Sequence, residues 1–331
     1  MWTLFKCKGE NAVMFKDSKI VICGVGNVGA TTAYTIVNQG LCEQLVLIDI
    51  NKDKAYAEAL DMSHAIHFMN RNMKVWSGDY SDCKDADVVI LTASAPMPKD
   101  SHDRLEMLKP SLTIIGSIVK SVMASGFNGI FVVISNPVDI MTYYTWRISG
   151  LPKNQVIGSG TNLDSARLCY ELGKMYNLDS KSVHAYVMGE HGDSEVISWG
   201  TATIGGKKVE NVLLDNASRT KDTTKEKLRK ETVEAGWDIF NRKGNTSYGI
   251  AASVTAICKS ILFNENAIYP VSVDIQGQYG IHDVFISVPT IIDKNGAREI
   301  VEIKLREDEL QALQKSAALM KEFYPELEKT L

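Results

Sequence analysis

The sequence lacks any run near the ~20 apolar residues needed to cross a bilayer, which excludes a spanning helix. Its net charge of -4 is small and its Lys and Arg are dispersed. That leaves no basic stripe for nucleic acid and no polybasic membrane anchor. The six cysteines (Cys7, Cys23, Cys42, Cys83, Cys169, Cys258) include no CxxC pair and sit mostly in apolar or helical contexts. They read as small hydrophobes of a reduced, cytoplasmic protein, not as a disulfide framework. Lys6 and Lys8 are not followed by an apolar core and a small-residue cleavage site, so no secretory leader is expected. Internal repeats and low-complexity linkers are also missing.

What is present suits two packed domains in 331 residues, with 45% hydrophobic and 23% charged residues, the balance of a globular chain. Residues 1–18 follow no period and read either as an arm on a partner subunit or as an extension ahead of Met14. From Lys19 short apolar runs alternate with helical stretches: Ile20–Cys23, Leu45–Ile48, Val88–Leu91 and Ile130–Ile134, with a crossover helix over Gly29–Gly40. Continuous apolar strands belong where both sheet faces are covered, so residues 19–160 are expected to form an α/β, doubly wound parallel sheet of Rossmann type. Residues 161–331 read as an α+β domain. It has a helix over 223–243 with Leu228, Thr232, Ala235 and Ile239 inward, and strands Val271–Val273 and Val284–Val288. An Asn295-Gly296 turn precedes a strand Ile300–Ile303, and a last helix presents Leu310, Leu313, Ala317 and Met320 and closes near Pro325.

Gly24-Val25-Gly26-Asn27-Val28-Gly29 follows a strand and opens a helix, the context a dinucleotide fingerprint requires. Gly24 permits the tight turn, Gly26 lets backbone approach a pyrophosphate, and Gly29 allows close helix–sheet packing. Phosphates then meet the free N–H groups of the helix start. Asp49 ends the next strand, where an acid meets the adenosine ribose, and its charge repels a 2′-phosphate. The expected cofactor is NAD.

Farther on, Asn162-Leu163-Asp164-Ser165-Ala166-Arg167 and Gly189-Glu190-His191-Gly192-Asp193-Ser194 supply a carboxylate, a guanidinium and an imidazole. His191 can take the proton of a substrate hydroxyl, Asp164 can orient the ring and stabilise imidazolium, and Arg167 presents a planar fork to a carboxylate. Singly, each has a blander reading: Asp-x-x-Arg is commonly a helical ion pair, and a His between glycines is commonly a loop residue. Their combination with the fingerprint points to oxidation of a small 2-hydroxy acid. His64 and His67 could share a helical face, but no convincing further ligands accompany them, so no metal site is expected.

The chain resembles the L-lactate/L-malate dehydrogenase family, and within it L-lactate dehydrogenases most. The resemblance rests on the fingerprint, Val46-Leu47-Ile48-Asp49, Ser135-Asn136-Pro137-Val138-Asp139, the two catalytic stretches and Lys243-Gly244-Asn245-Thr246. It covers nearly everything from Lys19 to the last helix. It implies catalytic roles for His191, Asp164 and Arg104, the last polarising the substrate carbonyl. It implies that Arg167 binds the carboxylate, that Asn136 faces the substrate oxygen and that Thr246 lines the pocket. Gly24, Gly26, Asn27, Val28, Gly29, Asp49 and Ile250 would hold NAD. The His64 segment would pack at a subunit interface of a homotetramer, with small 2-keto or 2-hydroxy acids as the partners.

The loop Ala95–Arg104 departs from the family pattern by one extra residue. Met97, or Pro98 in the other register, stands where malate enzymes carry an Arg for a second carboxylate. Malate is therefore disfavoured, since a buried carboxylate would lack a partner. Met97 and Gly236 leave room for aliphatic groups, as in L-2-hydroxyisocaproate dehydrogenases, so bulkier 2-keto acids are an alternative to pyruvate. Where sugar-bisphosphate-activated relatives pair an Arg with the histidine matching His184, this chain has Cys169, so such activation is not expected. A non-catalytic NADH-binding scaffold would be expected to have lost His191, Asp164, Arg167 or Arg104, and all four are present.

Overall fold

The computed structural model describes residues 17–95, 108–215 and 224–331. The expected arm lies almost wholly outside the described residues, and Met97, Pro98 and Arg104 lie outside them entirely. The first half runs β1 (Lys19–Cys23), α1 (Asn27–Gln39), β2 (Gln44–Ile48), α2 (Lys52–Ala65), β3 (Lys74–Ser77), β4 (Val88–Leu91), α3 (Leu108–Ala124), β5 (Ile130–Val133), α4 (Val138–Ser149) and β6 (Val156–Gly158). These strands pair in parallel in the order β3-β2-β1-β4-β5-β6. Ile20, Val21, Ile22 and Val88 through Leu91 are wholly buried because helices cover both faces, which explains runs without polar alternation.

The strand order reverses at β1, between β2 and β4, and this opens a crevice at their C-terminal ends. The chain leaves β1 through Gly24, whose φ of 103° suits glycine alone. It enters α1, which stops at Gly40 in the left-handed conformation. A Cβ on Gly29 would come within 1.9 Å of the Gly24 carbonyl oxygen, so helix and loop touch backbone to backbone. Gly29→Ala is expected to cost ~2 kcal/mol or more in urea unfolding and to weaken NADH binding. Wild-type stability and affinity in that variant would remove the packing role given to Gly29.

The second half contains α5 (Asn162–Tyr176), β7 (Val183–His184), β8 (Val187–Met188), β9 (Val196–Ile197), β10 (Thr203–Ile204), β11 (Lys207–Lys208), α6 (Val209–Asp215), α7 (Lys225–Lys243) and α8 (Tyr248–Phe263). It ends with β12 (Ala267–Gln276), β13 (His282–Asp293), β14 (Gly296–Ile300), α9 (Glu307–Lys321) and α10 (Tyr324–Glu328). β12 joins β6 antiparallel through Ser272 and Gly158, and β13 and β14 continue the sheet to nine described strands. One core lies along this sheet. A second, with Leu168, Leu172, Val187, Trp199 and Leu228, sits between α5, α7 and the short strands.

Three expectations need correction. The strand expected at Ile300–Ile303 is instead Gly296–Ile300. Val301 N still donates to the Pro289 carbonyl, but proline has no N–H to return and the ladder stops. On α7 the buried stripe is Leu228, Thr232 and Gly236, while Ile239 is 42% exposed, because the helix turns its glycine toward Arg167 on α5. Pro325 does not close α9, which ends at Lys321, but sits in the first turn of α10, where its missing N–H costs nothing. The described cysteines (Cys23, Cys42, Cys83, Cys169 and Cys258) are all free, and burial pushes the Cys42 thiol up to about 12.

Candidate active site

Asp164 and Arg167 lie one helical turn apart at the start of α5, so their side chains meet on one face. Arg167 Nη1 donates to Asp164 Oδ1 at 2.7 Å. The other oxygen, Oδ2, lies 2.5 Å from Nδ1 of His191. A carboxylate that is only 1% exposed thus holds a guanidinium with one oxygen and an imidazole with the other. Its bond to Nδ1 assigns the Nδ1–H tautomer when the ring is neutral, leaving Nε2 as the site that gains and loses a proton. His191 and Arg167 both line a cavity of about 510 Å³.

The loop carrying His191 is tied down from three directions. Gly189, at φ 89°, exchanges two backbone hydrogen bonds of 2.9 Å with Ser287 on β13. Ser316 Oγ on α9 accepts from Glu190 N at 2.9 Å. From α4, Asp139 Oδ2 accepts the His191 backbone N–H at 2.8 Å. Burial pushes the Asp139 carboxyl up to about 6, against the pull of its hydrogen bond from the His191 backbone. A loop pinned this way holds an imidazole within the narrow tolerance that proton transfer needs.

The glycine-rich turn forms the opposite wall. Gly26 is the N-cap of α1, with no side-chain cap and no acidic residue in the first turn, so the helix start is open to an anion. A Cβ built on Gly26 meets nothing within 4 Å, and this space belongs to the cavity. Thr92 Oγ donates to the Gly24 carbonyl at 2.5 Å and fixes the turn. Asp49 reaches back from β2: Oδ2 accepts Val25 N at 2.6 Å and Oδ1 accepts Asn51 N at 2.9 Å. These features fit a dinucleotide pyrophosphate. Asn136 Oδ1 is a second sign of a ligand site, since it is buried, has no hydrogen-bond partner among the described residues, and belongs to a residue lining the same cavity.

Of the residues singled out from sequence, Gly26, Asn27, Val28, Gly29, Asn136, Arg167, His191, Gly236, Thr246 and Ile250 line this one cavity. Gly24, Asp49 and Asp164 stand behind its wall. Gly236 is where the Arg167 guanidinium rests: a Cβ there would lie 3.3 Å from Nη2. Sequence reasoning missed Trp237 and Phe240, which also line the cavity with ring centroids 5.9 Å apart, edge to face. Trp237 adjoins Gly236, and adjacent helical residues do not share a face, so no spacing signal marks the pair. It missed Glu195 too, one residue past the His191 motif and only 3% exposed. Cys169 turns its thiol to the carbonyls of Val183 and Ala185.

Residues 18–158 match the sequence model of the lactate/malate dehydrogenase NAD binding domain, and residues 161–330 that of the lactate/malate dehydrogenase alpha/beta C-terminal domain. An L-lactate dehydrogenase 3 of Bacillus cereus is 47% identical over 305 residues, covering 92% of this chain and 96% of that protein. The minor L-lactate dehydrogenase of Enterococcus mundtii, solved in a ligand-bound form, superposes with a TM-score of 0.88 at 43% identity, over 95% of this chain and 98% of that one. A lactate dehydrogenase from a Medee basin deep-sea metagenome superposes with a TM-score of 0.90 at 42% identity, over 95% of this chain and all of that one (100%).

Proposed function

The chain belongs to the lactate/malate dehydrogenase family, and from that premise we propose that it is an NAD-dependent L-lactate dehydrogenase. The observation that carries this reading is the continuous Arg167–Asp164–His191 array facing the glycine-rich turn across one cavity. The Arg167 fork binds the substrate carboxylate and sets which face of the keto carbon looks toward the cofactor wall. His191 Nε2 donates a proton to the carbonyl oxygen in reduction and removes it from the hydroxyl in oxidation. Asp164 holds the ring and balances imidazolium. Asn136 supports the substrate oxygen, and Thr246 and Ile250 bound the space beside the nicotinamide. Arg104, outside the described residues, enters by family resemblance as the group that stabilises charge on the carbonyl oxygen. When bound at Gly24–Gly29 and Asp49, NAD supplies or takes up the hydride.

Pyruvate is the proposed substrate, with larger aliphatic 2-keto acids as the second reading. The room expected at Gly236 is taken up by the Arg167 guanidinium, while Trp237 and Phe240 give the cavity an apolar side that suits aliphatic groups. No arginine stands at Met97 for a second carboxylate. Steady-state assays on pyruvate, 2-ketobutyrate, 2-ketoisocaproate and oxaloacetate test this. Oxaloacetate is expected to have a kcat/KM about 10²-fold or more below the best monocarboxylate, the cost of burying an unpaired carboxylate. Oxaloacetate as the best substrate would refute the assignment.

No described helix is long and apolar enough to cross a membrane. We infer a cytoplasmic enzyme from its scattered free thiols. A homotetramer is the proposed assembly, with exposed Tyr56 and Phe68, beside His64 and His67, as packing surface.

A further inference from the structure

Glu195 follows the catalytic loop and is buried to 3% exposure. A carboxylate oxygen of Glu195, one of Asp164 and a ring nitrogen of His191 all lie within 4.8 Å of one another. The imidazole therefore has a second acid beside it, not only the one that orients it. Among the described residues, several other charged groups stand around this cluster. From α5, Arg167 pairs with Asp164. From α7, Arg229 Nη2 donates to the backbone carbonyls of Asp193 at 2.7 Å and Glu195 at 3.4 Å. Glu190 turns its carboxylate to Ser194. Asp139, from α4, holds the His191 backbone.

We propose that Glu195 is a positioning residue that acts electrostatically on His191, keeping the ring protonated to higher pH than Asp164 alone would. The inference rests on the dehydrogenase reading above. When a substrate carboxylate binds Arg167, that cation and anion neutralise one another. Imidazolium then faces the buried Asp164 and Glu195, and nearby opposite charge favours the protonated ring. The consequence is chemical: reduction needs imidazolium, so Glu195 extends reduction toward alkaline pH, and it raises the pH at which oxidation of the hydroxy acid begins.

The test is a set of pH profiles of kcat/KM for pyruvate reduction and lactate oxidation in the unmodified protein, Glu195→Gln and Glu195→Asp. NADH fluorescence serves as the check that each variant is folded. In Glu195→Gln the alkaline limb of reduction and the acid limb of oxidation are both expected to move down by about one pH unit. Glu195→Asp, which keeps the charge, is expected to stay close to the unmodified limbs. A uniform loss of activity with unmoved limbs would overturn the proposal, as would an Asp variant displaced as far as the Gln variant. Should the Gln variant not fold, Glu195→Ala removes the charge in its place: limbs displaced downward support the proposal and unmoved limbs overturn it. No pyruvate reduction by the unmodified protein would sink the dehydrogenase reading as well. Activity with unmoved limbs sinks only the role of Glu195.

Discussion

His191→Asn is expected to lower kcat for pyruvate reduction by about 10³-fold or more while leaving NADH binding intact. Asparagine can still donate from its amide to Asp164 Oδ2, the bond that Nδ1 makes at 2.5 Å. The backbone bond from residue 191 to Asp139 does not depend on the side chain. The loop therefore keeps its place, and what disappears is the imidazole proposed to give and take the proton. The imidazole-dependent limb of the pH profile should vanish with the rate. Stopped-flow turnover and NADH fluorescence titration measure the two quantities separately. A variant retaining a tenth of wild-type kcat would show that His191 does not carry the proton.

Arg167→Lys tests the carboxylate site with its charge kept. Lysine offers a point charge where arginine offers a planar fork, so it cannot serve Asp164 and a substrate carboxylate with parallel bonds. The guanidinium also lies against Gly236, 3.3 Å from where a Cβ would stand, a surface shaped to a flat group. The expected loss in kcat/KM is about 10²- to 10³-fold, chiefly through KM. Asp164 stays paired with His191, so kcat should fall much less than in His191→Asn. An equal fall in kcat with unchanged KM would mean that Arg167 supports the His–Asp pair and does not grip substrate.

Much of this architecture was legible in the residues. The unbroken apolar runs of β1, β4 and β5 state that both sheet faces are covered, and Gly24, Gly26 and Gly29 announce a turn with no room for side chains. The helical spacing of Asp164 and Arg167 allowed for the ion pair they form, which was the blander reading of that motif. The errors arose where tertiary partners decide. Ile300–Ile303 has strand composition, but its neighbour is a proline that cannot complete the ladder. Ala235 and Ile239 look like the inner face of α7, yet Arg167 claims the glycine between them. Glu195 was passed over because a glutamate after a catalytic loop looks solvated until the fold encloses it. Trp237 and Phe240 were missed for a similar reason: only the packing of α7 on α5 turns them into a cavity wall.

The antiparallel join between β6 and β12 makes the nine strands a single girder. The glycine-rich turn hangs from one span, at the end of β1, and the His191 loop from another, through the bridge from Gly189 to Ser287 on β13. Neither anchorage can swing independently of the other without tearing the ladder. The distance between the glycine-rich turn and the His191 imidazole is therefore built in as the chain folds, before any ligand arrives.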